Sequence, residues 1–435
     1  MKDAGGTRRL SRFMNDEMAE GAQAHRERIV ESARSQVRTH LAAMKATARP
    51  AAMDYFDKMA DPFGPRAEEL KRFKESGGRV IGTLCYFAPA EIIAAFGAVP
   101  VRFCSGFYEA VHPANDLLGD AGLCPLVKST LGLKMSRASP ILELCDLVVV
   151  PTPCDAKLKL GEILADMVEV HMMNLPAVKE TEAGRESWMG EIRGLVKRLE
   201  GSFGMKLRPP MLKKAIATYQ RAQAAWRRFT ELRKSGGIWG RDALLVAQLS
   251  FYDDISRWTD NIVRLCDELE GRRPVAPEAA RILLAGSPII WPNWKVPLLI
   301  EESGGLMIAD ELCSGSRTMY DPVVVGEWTM DGMLAALGDR YLMPCTCPSF
   351  SPNLEREENM LRRLQQSGAE GVVFHVLRGC HLNSLDATKA DRVLRRKRIP
   401  MLKVESEYDE GDLEQLRTRI EAFVEMIKAR REQTG

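Results

Sequence analysis

Short apolar runs bounded by glycine and proline alternate along this chain with stretches whose apolar positions recur at helical spacing. The chain up to about residue 60 reads as helical, Glu17 to Lys45 being rich in Ala, Glu, Arg and Met, until Pro62 and Pro65 break the pattern. From Gly77-Gly78 the character changes. Arg79 to Phe87 reads as a buried strand, Pro89 to Phe96 as a helix behind it, and Ala98 to Phe103 as a second strand. Cys145 to Val150 is a continuous apolar run of the kind a parallel strand shows when buried on both faces, and Val168 to Leu175 is a candidate fourth strand.

Helical periodicity then takes over through Arg185–Glu200, Pro210–Lys234 and Asp242–Glu270, and Pro274 and Pro277 mark a boundary. Strand character resumes at Arg281–Ser287, Gly305–Asp310, Gly371–Leu377 and Ile399–Val404. Helices are expected at Glu355–Gln366, Asp386–Lys397 and Asp412–Lys428. Such alternation predicts an α/β protein with two doubly wound parallel-sheet domains. The expected layout is an N-terminal helical segment over 1–75 and a first α/β domain over 76–275, carrying a helical insert at about 185–272. A second α/β domain follows over 276–435.

Composition narrows the partners more than the fold. With 435 residues, 45% hydrophobic and 28% charged, the chain has the balance of a soluble multidomain protein. A net charge of +2 gives no reason to expect nucleic acid as a partner. The first ten residues are basic without an apolar core behind them, so a secretory signal is not expected. No apolar run approaches the roughly 18 residues of a spanning helix, so no membrane is expected and the cytoplasm is the expected location.

Ten cysteines change the picture. A reducing compartment disfavours a disulfide framework. Mapped onto the expected elements, Cys85, Cys154, Cys313 and Cys380 each fall at or just past the end of a strand, the edge where open α/β sheets form their ligand crevice. Cys124 and Cys345 lie in proline-flanked loops between strands, which makes three cysteines per domain. No Cys-x-x-Cys pair exists, which disfavours a zinc ribbon, a thioredoxin motif and a ferredoxin-type run. Dispersed thiols that converge at strand ends suit an iron–sulfur cluster. Three thiolates on a cubane leave one iron open, which favours an active cluster over a sealed electron wire. Cys104 is a possible replacement ligand, and sequence does not choose between Cys345 and Cys347. Cys145 and Cys266 read as core.

The segments Cys85-Tyr-Phe-Ala-Pro-Ala-Glu91, Gly122-Leu-Cys-Pro125, Cys145 to Asp155, Glu311 to Arg317, Arg340 to Cys345, Gly371 to Cys380 and Gln415 to Phe423 occur in order across most of residues 77–428. On these the chain resembles the benzoyl-CoA reductase and 2-hydroxyacyl-CoA dehydratase subunit family, and is most similar to its double-cubane cluster proteins. That resemblance implies a double-cubane 8Fe–9S cluster on Cys85, Cys124, Cys154, Cys313, Cys345 and Cys380. It also implies a homodimer, an anaerobic setting, and a dimeric ATPase activator with its own 4Fe–4S cluster, so that the chain would be an ATP-dependent iron–sulfur oxidoreductase acting on small molecules. The alternative it leaves open is a lyase: a 2-hydroxyacyl-CoA dehydratase or benzoyl-CoA reductase subunit with one 4Fe–4S cluster, an unlike partner subunit and an acyl-CoA substrate. A non-enzymatic electron carrier is the third reading.

No Gly-x-x-x-x-Gly-Lys-Ser/Thr loop is present, in keeping with ATP handled by another protein. Glu311 and His381 are the candidate proton donors beside the cluster. Lys128, Arg317 and Arg378 are read as charge balance or solvated surface, and His375 as a hydrogen-bonded core residue.

Overall fold

A computed structural model describes residues 16–119 and 122–434, so residues 1–15 of the expected N-terminal segment lie outside the described residues. It contains two four-stranded sheets, parallel throughout and covered by helices, as the alternation predicts. The first holds β1 (Val80–Thr83), β2 (Val99–Arg102), β3 (Cys145–Pro151) and β4 (Val170–Met173), in the order β2-β1-β3-β4. The second holds β5 (Ala280–Gly286), β6 (Gly305–Glu311), β7 (Gly371–Leu377) and β8 (Met401–Ser406), in the order β6-β5-β7-β8. The two orders are the same.

Central strands β1 and β7 are buried at every position, and β3 and β5 at all but one, because helices cover both faces. Edge strands β4 and β8 are half-exposed. The edge strand β6 is an exception and is almost wholly buried. Helix Pro209–Arg233 of the insert lies against it: Arg233 donates to the Met307 carbonyl at 2.9 Å and pairs with Asp310 at 2.7 Å. Both partners are buried, so the pair is held by its hydrogen bonds as much as by charge.

The N-terminal helices bridge the two sheets. Ile29, Ala33, Ala67 and Leu70 pack with β1, β2 and β3, whereas Met44, Met53 and Phe56 join the insert helices and β5 in another core. A third core lies where the domains meet, with Phe87, Ile92 and Trp188 against Met333, Leu337 and Tyr341. Each fully buried side chain of this size contributes about 1.5–3 kcal/mol. Among the described residues no helix is long and apolar enough to cross a membrane.

Two local features depart from the sequence reading. Strand β1 ends at Thr83 instead of running to Phe87, because Cys85 takes a left-handed backbone (φ 78°) that no strand accommodates. Cys124 is not simply in a loop, since it is the residue that opens a helix, Pro125–Met135, as Cys154 past the end of β3 opens Asp155–Leu164.

Candidate functional site

Order β2-β1-β3-β4 sends the chain from β1 to one side and then back to the other, leaving a crevice between the ends of β1 and β3. Cys85 follows β1 at this switch point and Cys154 follows β3. In the second sheet Cys380 follows β7 at the corresponding place, and Cys313 follows β6. Cys124, Cys154 and Cys380 each precede the first residue of a helix, so all three stand at helix N-termini.

The loops that carry them touch across the domain boundary. A Cβ added to Gly379 would lie 2.5 Å from the Gly122 carbonyl oxygen and 3.1 Å from the Cys124 nitrogen. Only glycine fits there, and its φ of +76° asks for glycine as well. This contact brings Cys380 of the second domain beside Cys124 and Cys154 of the first, and both Cys124 and Cys154 feel the Cys380 thiol. Cys313 lies beside Cys85 and Cys347, and Cys345 beside Cys347. The thiols therefore form one run of neighbours drawn from both domains, with Cys124, Cys154 and Cys380 toward one end, Cys85, Cys313, Cys345 and Cys347 toward the other, and Cys85 acting on Cys154 between them. Three per domain in sequence becomes a mixed arrangement in space, because the strand ends of the two sheets face each other.

Burial pushes the Cys124 thiol up to about 12, with the neighbouring Cys380 adding to the effect. Burial likewise raises Cys154, Cys313 and Cys345, the last to about 12. Cys85 goes the other way. Burial alone would raise it, but the Lys157 ammonium and the Arg102 guanidinium hold it below the ordinary thiol range. Arg317 occupies a similar place beside Cys345, with Nη2 at 3.6 Å from its sulfur. Asn383 Nδ2 donates to the Cys380 sulfur at 3.2 Å.

Residues 345–347 are pinned carbonyl by carbonyl. Lys179, wholly buried, donates to Cys345 O at 3.0 Å and to Met343 O at 2.6 Å. Arg356 donates to Thr346 O at 2.8 Å, and Asn353 to Cys347 O at 2.6 Å. A loop so held presents Cys345 and Cys347 at fixed positions. Beside it lies a cavity of about 530 Å³ lined by Tyr86, Glu311, Arg317, Asp321, Cys345 and Arg363, among others.

Glu311 is buried beneath this loop, paired with Arg363 at 2.7 Å and accepting from Thr346 Oγ1 at 3.3 Å. Burial would raise its carboxyl, but Arg363, Arg317 and Arg356 outweigh that and hold it below the usual carboxylate range. It is thus an anion that orients Arg317. His381 sits exposed at the first position of helix His381–Arg396, next to Cys380. His375 is buried, its Nε2 at 2.8 Å from Ser406 Oγ. Cys145 and Cys266 are buried away from both groups. Cys104 follows β2 and also faces Lys157.

Whether these residues suit an iron–sulfur cluster turns on donor type and spacing. Among the described residues no three His, Cys, Asp or Glu side chains converge closely enough to hold a single metal ion. A cluster carries its thiolates on separate irons and spans a wider gap, and the donors here are soft thiols flanked by cations that would offset a cluster's negative charge. The chemistry of the donor set, soft thiols beside cations, suits a cluster.

Lys157, Lys179 and Asn383 escaped the sequence reading. Lys157 had a signal, standing three residues after Cys154 in the first turn of the helix it opens, but that helix was not expected. Lys179 lies far from every cysteine in sequence and left no trace.

Comparison with known proteins agrees in extent. The model of the family described as 2-hydroxyglutaryl-CoA dehydratase, D-component, matches residues 85–427. A protein of Escherichia coli (strain K12) described only provisionally as a dehydratase subunit, YjiM, is 33% identical over 363 residues, covering 81% of this chain and 93% of its own. The (R)-phenyllactyl-CoA dehydratase beta subunit of Clostridium sporogenes is 21% identical over 368 residues, 83% of this chain and 96% of that one. The beta subunit of (R)-2-hydroxyglutaryl-CoA dehydratase from Acidaminococcus fermentans is 22% identical over 371 residues, with coverages of 82% and 95%.

Proposed function

The chain belongs to the 2-hydroxyglutaryl-CoA dehydratase D-component family, and on that premise we propose that it is the beta-type subunit of a 2-hydroxyacyl-CoA dehydratase, a lyase that holds an iron–sulfur cluster on its strand-end thiols. The observation that carries this reading is the meeting of thiols from both domains at the facing strand ends. A cluster bound there would supply low-potential electrons and an open iron for an oxygen ligand. The chain's own residues would do the rest. Lys179, Arg356 and Asn353 fix the 345–347 loop, Arg317 offsets thiolate charge, and Glu311 holds Arg317 in place. The polar cavity beside Cys345 gives a substrate hydroxyl a way to the thiols. In this reading an unlike subunit completes the enzyme, and a separate ATP-hydrolysing activator with its own 4Fe–4S cluster delivers the electron.

A second reading is favoured by one observation. The seven thiols gathered from both domains exceed the three that hold one cubane, which supports an 8Fe–9S homodimeric reductase of small molecules. Iron and sulfide analysis of anaerobically prepared protein separates the two. About four irons per chain, with an unlike subunit co-purifying, is the dehydratase result, and about eight irons in a homodimer is the reductase result. Protein that binds no iron under either preparation overturns both.

A further inference from the structure

Two cations flank the thiols, one from each domain, Arg317 buried and Lys157 half-buried, and they differ in what else they touch. Arg317 is shared. Its Nη2 meets the Cys345 sulfur at 3.6 Å, while its Nε lies 3.8 Å from the Glu311 carboxylate, so part of its charge is already answered. Lys157 is the third residue of helix Asp155–Leu164, and its N–H donates to the Cys154 carbonyl at 3.1 Å. Helical side chains lean toward the N-terminus of their helix, which carries this one back over the thiols at the end of β3. The charged groups that act on its ammonium most strongly are Cys85, Cys104 and Cys154 of the first domain and Cys313 of the second. Among the described residues no carboxylate pairs with this cation, which stands among thiols of both domains close to the junction of the two thiol groups.

We propose that Lys157 is the counter-charge of the cofactor held by the strand-end thiols, a positioning residue that sets the reduction potential of that cofactor from the seam between the two thiol groups. This inference rests on the iron–sulfur reading above. The physical reason is that each electron added to an anionic cluster raises its negative charge, so a fixed cation at short range stabilises the reduced form more than the oxidised one. Arg317, half-neutralised by Glu311, does this less.

The test uses the full chain, prepared and loaded anaerobically, with iron content and midpoint potential as readouts. Lys157→Gln is expected to keep iron near the wild-type amount and to titrate at a more negative potential. Lys157→Arg is expected to return the potential toward the wild-type value. Lys159→Gln, on the outward side of the same helix and paired with Glu162 at 2.8 Å, is the control and should leave the potential unmoved. Loss of iron from Lys157→Gln with retention in Lys157→Arg also supports the proposal, since charge is what the arginine restores. An unchanged potential in Lys157→Gln overturns it, as does loss of iron from both variants, which would mark a packing role. Wild-type protein without iron defeats the cluster reading itself, a separate outcome from an iron-loaded protein whose potential ignores Lys157.

Discussion

The two sheets share one strand order and put different chemistry at their ends. β1 is followed by Cys85, whereas its counterpart β5 is followed by Ser287. β2 is followed by Cys104 and its counterpart β6 by Cys313; β3 and β7 are followed by Cys154 and Cys380. At the switch point of the first sheet the crevice is open to thiols and a lysine. In the second, Ser287, His375 and Ser406 fill the same place with hydrogen bonds: Leu377 N–H to Ser287 Oγ at 3.0 Å, Ser287 N–H to His375 O at 2.7 Å, and His375 Nε2 to Ser406 Oγ at 2.8 Å. One fold thus supports a first strand that ends in a thiol beside a lysine and a counterpart that ends in a closed set of hydrogen bonds. The difference lies in whether buried polar groups find partners among themselves.

The largest expected effect breaks the comparison along the thiol groups instead of along the domains. Cys380→Ser should lose the same iron as Cys124→Ser or Cys154→Ser, although it lies in the other domain, while Cys313→Ser and Cys345→Ser should share a second phenotype. Cys266→Ser, wholly buried in a helix core, should keep full iron. Iron content and the broad visible absorbance of each variant measure this. Phenotypes that sort by domain, with Cys380→Ser matching Cys313→Ser, would contradict the mixed arrangement.

The hydrogen-bonded set at Ser287, His375 and Ser406 should show itself in acid. Burial, helped by the Lys295 ammonium and opposed by the Ser287 carbonyl and Asp412, lowers His375 to about 4. Its imidazole is neutral in the fold, while the unfolded chain binds the proton from the ordinary value of 6.5 downward. Stability therefore stays at its full value above pH 6.5 and falls as pH drops toward 4, by about 3 kcal/mol for this one group. Denaturant midpoints of wild type and His375→Gln between pH 4 and 7 provide the measurement. The variant should lose much of that slope.

Gly379→Ala ranks next. Its Cβ would press on the Gly122 carbonyl and its left-handed backbone would be strained, at a cost of about 2 to 3 kcal/mol. The same clash should push Cys380 away from Cys124, so iron should leave this variant faster under a chelator than it leaves the wild type. Equal chelation rates would mean that the loop contact does not hold the thiols together.

Much of this was legible in the chain. Cys145-Asp-Leu-Val-Val-Val150 and Gly371 to Leu377 carry enough continuous apolar character to specify central parallel strands, and strand ends in such sheets specify a crevice. Other parts were hidden for physical reasons. Helix Pro125–Met135 is buried at almost every position, so it shows no polar face and no helical period, and Cys124 read as a loop residue. The left-handed turn at Cys85 has no residue signature, because its backbone is held by the fold and not by its side chain. The regrouping of thiols across domains depends on how the two sheets face each other, and no spacing along one chain encodes that. Lys179 reaches a carbonyl 166 residues away for the same reason.

Ser287 gives the smallest effect and the finest test of the comparison. Its hydroxyl accepts from the Leu377 N–H at 3.0 Å in a wholly buried site. Ser287→Ala leaves that donor without its partner, and a buried unpaired N–H costs about 1 to 2 kcal/mol. Chemical denaturation should show a shift of that size with iron content unchanged, since nothing at the end of β5 is assigned to the cofactor. Ser287→Cys goes further and rebuilds in the second sheet the residue type that follows β1. Its thiol would meet the His375 and Leu377 backbone, with neither the lysine nor the partner thiols that surround Cys85, so it should bind no additional iron. Should iron per chain rise in Ser287→Cys, a thiol at a strand end would suffice to recruit the cofactor, and the charged, shared setting of Cys85 would not be what distinguishes the two crevices.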